Sequence, residues 1–185
     1  MARTAILVVD MVYDFTNPQG LVFYPQNLEI LPNIARAVEV CRGHDALVIY
    51  LQHRYRAGKY DKNLATMRPN CIEGTGGELL DESLTVLPED YVIQKRRYSA
   101  FFGTDVDLVL REHDIKRVIV VGTKTNCCIR ATVTDAYNLD YEVIVISDCV
   151  ATNDPTVNEV HLSDIKKYLG TVISLAELPE LLVAG

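Results

Sequence analysis

Val118-Ile119-Val120-Val121-Gly122-Thr123-Lys124-Thr125-Asn126-Cys127-Cys128 is a β-branched apolar run that stops at a glycine and delivers two cysteines to the start of a helical pattern. A run so short and so continuously apolar suits a strand buried on both faces of a parallel sheet. A strand that turns through glycine into a helix is the repeating step of an α/β fold. The same step presents a nucleophile. Free backbone N–H groups and the positive dipole end at a helix N-terminus favour thiolate over thiol, so the reading predicts a cysteine that reacts near neutral pH. A free cysteine elsewhere behaves as a small buried hydrophobe, so the chemical reading needs support from the rest of the chain.

Two other strands supply it. Ala5-Ile6-Leu7-Val8-Val9 runs straight into Asp10, and Tyr91-Val92-Ile93-Gln94 ends in Lys95. Open parallel sheets hold their ligands at the carboxyl ends of strands, where an acid, an amine and a thiol would here meet along one edge. Ala46 to Leu51 and Tyr141 to Ile146 read as further buried strands, and Thr171 to Ser174 as a sixth. Helical periodicity fills the gaps at Leu31 to Cys41, Asp105 to His113, Cys128 to Leu139 and Val157 to Leu169, with a closing helix near Ala176 to Leu182. Strand and helix alternate, which predicts right-handed crossovers and a three-layer α-β-α sandwich around a six-stranded, mostly parallel, Rossmann-like sheet.

His53 to Pro88 breaks the rhythm, with Gly58, Pro69, Gly74, Gly76 and Gly77 among polar residues. Long irregular inserts of this kind are usually lids or binding loops. Gly74-Thr75-Gly76-Gly77 follows no strong strand and lacks the G-K-S/T of a phosphate loop, so it reads as loop.

At 185 residues the chain is expected to be one domain, 1–185. Hydrophobic residues make up 49% and charged residues 23%, a balance that excludes a disordered chain. The net charge of -7 speaks against nucleic acid as a partner. Met1-Ala2-Arg3-Thr4 enters a strand at once, and the apolar run ends at Asp10, so neither a signal peptide nor a membrane span is expected and the cytoplasm is the expected location. Cys41, Cys71, Cys127, Cys128 and Cys149 are odd in number and form no C-x-x-C pattern, which suits reduced thiols without a structural metal.

With their flanks, these segments resemble the isochorismatase-like cysteine hydrolases, a superfamily that includes nicotinamidase, N-carbamoylsarcosine amidohydrolase, ureidoacrylate amidohydrolase and biuret hydrolase. The resemblance rests on V-D-M-x-x-D-F at Val9 to Phe15, K-x-x-Y-S-A-F at Lys95 to Phe101 and G-x-x-T-x-x-C at Gly122 to Cys128, followed by Thr132 and Asp135-Ala136. It implies a catalytic triad of Asp10, Lys95 and Cys128 and hydrolysis of a small amide or ureido C–N bond through a thioester on Cys128. It also implies an oxyanion hole from the backbone N–H groups of Lys124 and Cys128, with a cis peptide between Thr123 and Lys124. Thr125 then either hydrogen-bonds this turn or caps the helix. Cys127 falls on a variable position and reads as structural. Phe15 would line the substrate pocket with Tyr55 and Tyr98, while Asp14 reads as a structural carboxylate. Arg97 either pairs with a substrate carboxylate or is a solvated surface arginine. Arg54, Tyr55, Arg56 and Arg97 together hint at a small anionic substrate. The family resemblance further implies a homodimer or homotetramer.

Nicotinamidases of this superfamily hold a metal with an Asp and two His, the first pair in a D-x-H segment. Here the corresponding residues are His53-Arg54-Tyr55, so no metal and no other cofactor is expected. His44, His113 and His161 read as structural or solvent-facing. Alternative readings are a nicotinamidase, a noncatalytic binder of a metabolite or partner protein, and thiol redox chemistry at Cys127-Cys128, the last disfavoured because adjacent cysteines close a strained ring.

Overall fold

The computed structural model describes residues 3–184. β1 (Thr4–Val9), β2 (Leu47–His53), β3 (Tyr91–Lys95), β4 (Arg117–Thr123), β5 (Glu142–Ala151) and β6 (Thr171–Ile173) form one sheet in the order β3-β2-β1-β4-β5-β6. Every pairing is parallel, so the sheet is wholly and not mostly so. The helices are α1 (Tyr13–Thr16), α2 (Gln26–Arg42), α3 (Val106–Glu112), α4 (Arg130–Asn138), α5 (Pro155–Tyr168) and α6 (Leu178–Ala184).

Both faces of β1 are buried, as its unbroken apolar run requires. Ala5, Leu7 and Val9 pack with Val109 and Leu110 of α3, Val133 of α4 and Ile165 of α5. Ile6 and Val8 face the other way, against Ile34 and Val38 of α2 and Leu178 and Leu182 of α6. The sheet is thus the middle of three layers. From β1 the chain steps outward through β2 and β3, then returns to β1's other side for β4, β5 and β6. Strand order therefore reverses between β1 and β4, and ligands of such sheets bind in the crevice at that reversal. Gly122 makes the close approach there possible: it has φ 116°, and a Cβ on it would stand 2.1 Å from the Val9 carbonyl oxygen.

Three boundaries differ from the sequence expectation. α2 starts five residues before Leu31 and carries Pro32 inside it. Proline costs that helix a hydrogen bond, but burial of Ile30 and Leu31 and an Asn27 Nδ2 bond to the Phe15 carbonyl at 2.8 Å hold the extra turn. The expected helix from Cys128 is split into a π-helical turn, Thr125–Ile129, followed by α4. β5 continues past Ile146 because its register with β4 shifts, Val120 pairing with Val145 but Gly122 with Val150. The residues passed over include Asp148, whose carboxylate accepts from Leu175 N at 2.8 Å and whose carbonyl accepts from Asn33 at 2.9 Å.

The segment between β2 and β3 contains no helix or strand, only isolated bridges from Tyr55 to Ile72 and from Val12 to Leu80. Asp14 clasps it from α1. Its carboxylate accepts from Leu21 N at 3.1 Å and Cys71 N at 2.6 Å, and its own N–H donates to the Gly77 carbonyl. Gly77 lies so close that a Cβ would meet an Asp14 carboxylate oxygen at 2.3 Å, which explains a glycine at that point of the loop. Asp14 is the structural carboxylate its sequence position suggested. Among the described residues no helix is long and apolar enough to cross a membrane.

Candidate active site

Asp10 is the first residue past β1, in a left-handed conformation (φ 58°) that aspartate tolerates better than most side chains. Its N–H donates to the Leu51 carbonyl at 2.9 Å, which turns the carboxylate under the β1–β4 crevice, where it is 0% exposed. Lys95 ends β3 and stands in register with His53, the last residue of β2. The Lys95 ammonium lies 2.7 Å from Asp10 Oδ2, 2.9 Å from the Arg97 carbonyl and 3.3 Å from His53 Nδ1. Cys128 is the fourth residue of the π-helical turn, and its sulfur lies within 4.8 Å of an Asp10 carboxylate oxygen. One donor atom each from Asp10, His53 and Cys128 lie within 4.8 Å of one another.

Burial works against charge on Asp10, but the Lys95 ammonium, helped by His53 and the neighbouring Cys128 thiol, holds the carboxyl below its ordinary 3.8. Burial likewise favours a neutral amine at Lys95, and the Asp10 charge outweighs it, so the ammonium is held above its ordinary value. Cys128 moves the opposite way from the sequence expectation. Burial pushes its thiol up, the Asp10 charge pushes it further, and Lys95 offsets only part. One short turn's dipole does not overcome a buried carboxylate alongside. The resting site is therefore a carboxylate, an ammonium and a thiol, with Asp10 placed to take the thiol proton.

Cys128 opens onto a cavity of about 220 Å³. Phe15, Tyr55 and Tyr98 line it, and so do His53, Lys124 and Cys127, while Val22 and the insert residues Met67, Arg68 and Asn70 complete the wall. Such a volume lies below the roughly 300–1,000 Å³ usual for drug-sized ligands and suits a small molecule. A larger groove of about 690 Å³, between α1, α2 and residues 76–83, includes none of Asp10, Lys95 and Cys128.

The Thr123–Lys124 peptide is cis. Thr123 is buried and hydrogen-bonded through its hydroxyl to Tyr24, whose OH also donates to the Ala151 carbonyl at 3.2 Å. Lys124 Nζ reaches Asn153 Oδ1 at 2.7 Å and lies 5.0 Å over the Tyr24 ring. Thr125 does neither thing expected of it: the turn has no side-chain cap, and Thr125 Oγ1 is buried without a hydrogen-bond partner among the described residues. Arg97 is outside the cavity lining, because its guanidinium is taken up by the buried carboxylate of Asp61 at 3.1 and 3.2 Å. Thr132 accepts from Ala100 N at 3.0 Å, pinning the Lys95–Phe101 segment to α4.

The sequence does not single out His53, Arg68 and Asn70 as pocket residues, and Cys127, which reads there as structural, also lines the cavity. For His53 the apolar run gave no signal, because it reads as ending at Leu51, whereas β2 continues to His53. His53 and Tyr55 hold the positions where a nicotinamidase would place its metal-binding Asp and His. The one cluster among the described residues close enough to hold an ion is Asp10, His53 and Cys128, and the Lys95 ammonium already stands against two of them. A metal cation would face that ammonium directly, so these residues do not fit one.

The isochorismatase domain family profile matches residues 4–177. A protein of Arabidopsis thaliana named as a probable inactive nicotinamidase is 34% identical over 174 residues, covering 89% of this chain and 88% of that protein. The ureidoacrylate amidohydrolase RutB of Rhizobium rhizogenes is 28% identical over 200 residues, covering 94% and 81%. Among solved structures, a cysteine hydrolase from Pseudomonas syringae pv. phaseolicola superposes with a TM-score of 0.92 at 30% identity, covering 98% of this chain and 93% of that one.

Proposed function

The chain belongs to the isochorismatase domain family, and from that premise we propose that it is a cysteine hydrolase cleaving a small amide or ureido C–N bond. The observation that carries this reading is the buried contact of Asp10 with Lys95 and Cys128 at one end of a small aromatic cavity. Asp10 takes the Cys128 proton as sulfur bonds to the substrate carbonyl carbon. The tetrahedral oxyanion is held by the backbone N–H groups of Lys124 and Cys128, where loss of one donor typically costs about 10²- to 10³-fold in rate. The C–N bond then breaks as Asp10 returns its proton to nitrogen, and ammonia or amine leaves. A water enters, gives a proton to Asp10 and adds to the thioester carbon. The C–S bond breaks and the thiol is restored. Lys95 stays charged throughout and keeps Asp10 ionised between proton transfers.

RutB's printed activity supports a ureido or related amide as substrate. The name of the Arabidopsis relative raises the noncatalytic alternative, against which stands the retention here of all three reactive residues in mutual contact. A nicotinamidase of the metal-dependent kind is disfavoured by His53 and Tyr55. Assembly as a homodimer or homotetramer in the cytoplasm completes the proposal, and light scattering with size exclusion reads the first part. The activity itself is tested by ammonia release from ureido acids, carbamoyl amino acids, biuret and nicotinamide, with wild type beside Cys128→Ala. Turnover by the variant at the wild-type rate would end the proposal.

A further inference from the structure

The Lys95 ammonium, ion-paired with Asp10 Oδ2 at 2.7 Å, donates to the Arg97 carbonyl at 2.9 Å and to His53 Nδ1 at 3.3 Å. His53 Nδ1 also lies 3.6 Å from Asp10 Oδ2, too far for a hydrogen bond of its own. With Nδ1 accepting from Lys95, the neutral ring carries its proton on Nε2. Nε2 has no hydrogen-bond partner among the described residues, although His53 is only 4% exposed, and its ring lines the cavity beside Cys128. Phe15 and Tyr55 pack edge-on against that ring at 6.4 and 4.7 Å between centroids, which fixes its plane.

The charge of the cavity wall adds a second constraint. Among the residues that line it there is no carboxylate, while Lys124 and Arg68 are cations. The neighbouring arginines are already paired, Arg54 with Glu73 and both Arg96 and Arg97 with Asp61. Arg68 makes no ion pair among the described residues. A chain of net charge -7 thus presents a positively charged wall at this one cavity.

We propose that His53 is a substrate-positioning residue: Lys95 fixes its Nε2–H tautomer, and the cavity therefore takes amides bearing an acceptor oxygen, a carboxylate above all, near the scissile carbonyl. The substrate half of this rests on Cys128 being the nucleophile. A His53 ring nitrogen and the other two donor atoms are within 4.8 Å, so a carbonyl carbon bound at the sulfur has its first substituents in reach of the imidazole. An acceptor oxygen two or three bonds from that carbon meets the N–H, whereas a donor there is repelled.

Two measurements test it, neither of which uses turnover. Long-range ¹⁵N–¹H correlation spectra of the wild-type imidazoles at neutral pH, with His53 assigned by the signal lost in His53→Asn, are expected to show Nε2 protonated and Nδ1 bare. A proton on Nδ1, or on both nitrogens, would overturn the assignment. Calorimetric titration of Cys128→Ala with malonamate and with propionamide is expected to show at least about tenfold tighter binding of the carboxylate-bearing amide. Adding His53→Asn, whose amide oxygen still accepts from Lys95, should erase most of that preference. Equal binding of the two probes, or a preference that survives His53→Asn, would overturn the positioning role. A protein that hydrolyses nothing but gives both signals would lose the thioester reading and the scissile carbonyl with it, and keep the His53 tautomer and its carboxylate-binding role.

Discussion

Cys128 rests as a thiol because burial and the Asp10 carboxylate both oppose its ionisation, and that single fact sets the expected pH behaviour. Alkylation of Cys128 by iodoacetamide should be slow at neutral pH, and no thiolate absorbance should be lost on Cys128→Ala; a thiolate signal at pH 7 would mean that Lys95 dominates Asp10 in the thiol's environment. Asp10→Asn removes the proton acceptor without changing shape and should lower turnover by about 10²- to 10⁴-fold, while Cys128→Ala should remove it to about 10⁴-fold or beyond. The ion pair also couples stability to pH. Asp10 has a depressed folded pKa, so its contribution is present above its ordinary 3.8 and is lost as pH falls through the lower folded value. Lys95 has a raised one, so its contribution is present below its ordinary 10.5 and is lost as pH rises through the higher folded value. Urea midpoints measured across pH should therefore hold a plateau from pH 3.8 to the ordinary cysteine value of 9.0, above which the raised Cys128 thiol already lowers stability, and a maximum confined to acid pH would contradict the pairing. Asp10, Lys95 and Cys128 were legible because each lies at or just after the end of an apolar strand. Arg97 was not, because its partner Asp61 is 36 positions away in an insert without periodicity.

At the scale of elements, strands were readable and turns were not. All six expected strands are present: β1, β2, β4 and the start of β5 are apolar runs buried on both faces, with few other ways to fold, while the edge strands β3 and β6 each keep exposed positions. The π-helical turn that carries Cys128 leaves no signature in apolar spacing, and α2 begins early through contacts with Phe15 that are remote in sequence. Asp14 ties the insert to α1, and the bond its carboxylate accepts from Cys71 N holds the chain just after Met67, Arg68 and Asn70 of the cavity wall. Asp14→Ala should cost about 3 kcal/mol, or ~6–12 °C in Tm, and raise KM more than it lowers kcat. A stability loss with KM unchanged would show that the clasp and the wall are independent. Gly122→Ala forces a Cβ onto the Val9 carbonyl at positive φ and should destabilise by about 3 kcal/mol or more in urea unfolding.

Across the whole molecule, function follows from strand order. Residues 10, 95 and 128 are far apart in the chain, yet reversal of the order between β1 and β4 gathers the carboxyl ends of β1, β2, β3 and β4 around one small cavity. Sequence alternation gave the layers but not this order, which depends on which strands pair. It also could not show that Asp10, Lys95 and Cys128 meet in one buried cluster, the premise of the proposed thioester chemistry, since that depends on distances between strands. Intact-mass spectrometry of enzyme quenched during turnover of a small carbamoyl or amide acid, with ammonia assayed alongside, probes that claim most directly. The account predicts an acyl adduct on Cys128, ammonia release unaffected by chelator, and loss of both in Cys128→Ala. Ammonia release that persists in the variant, or that a chelator abolishes, would contradict it.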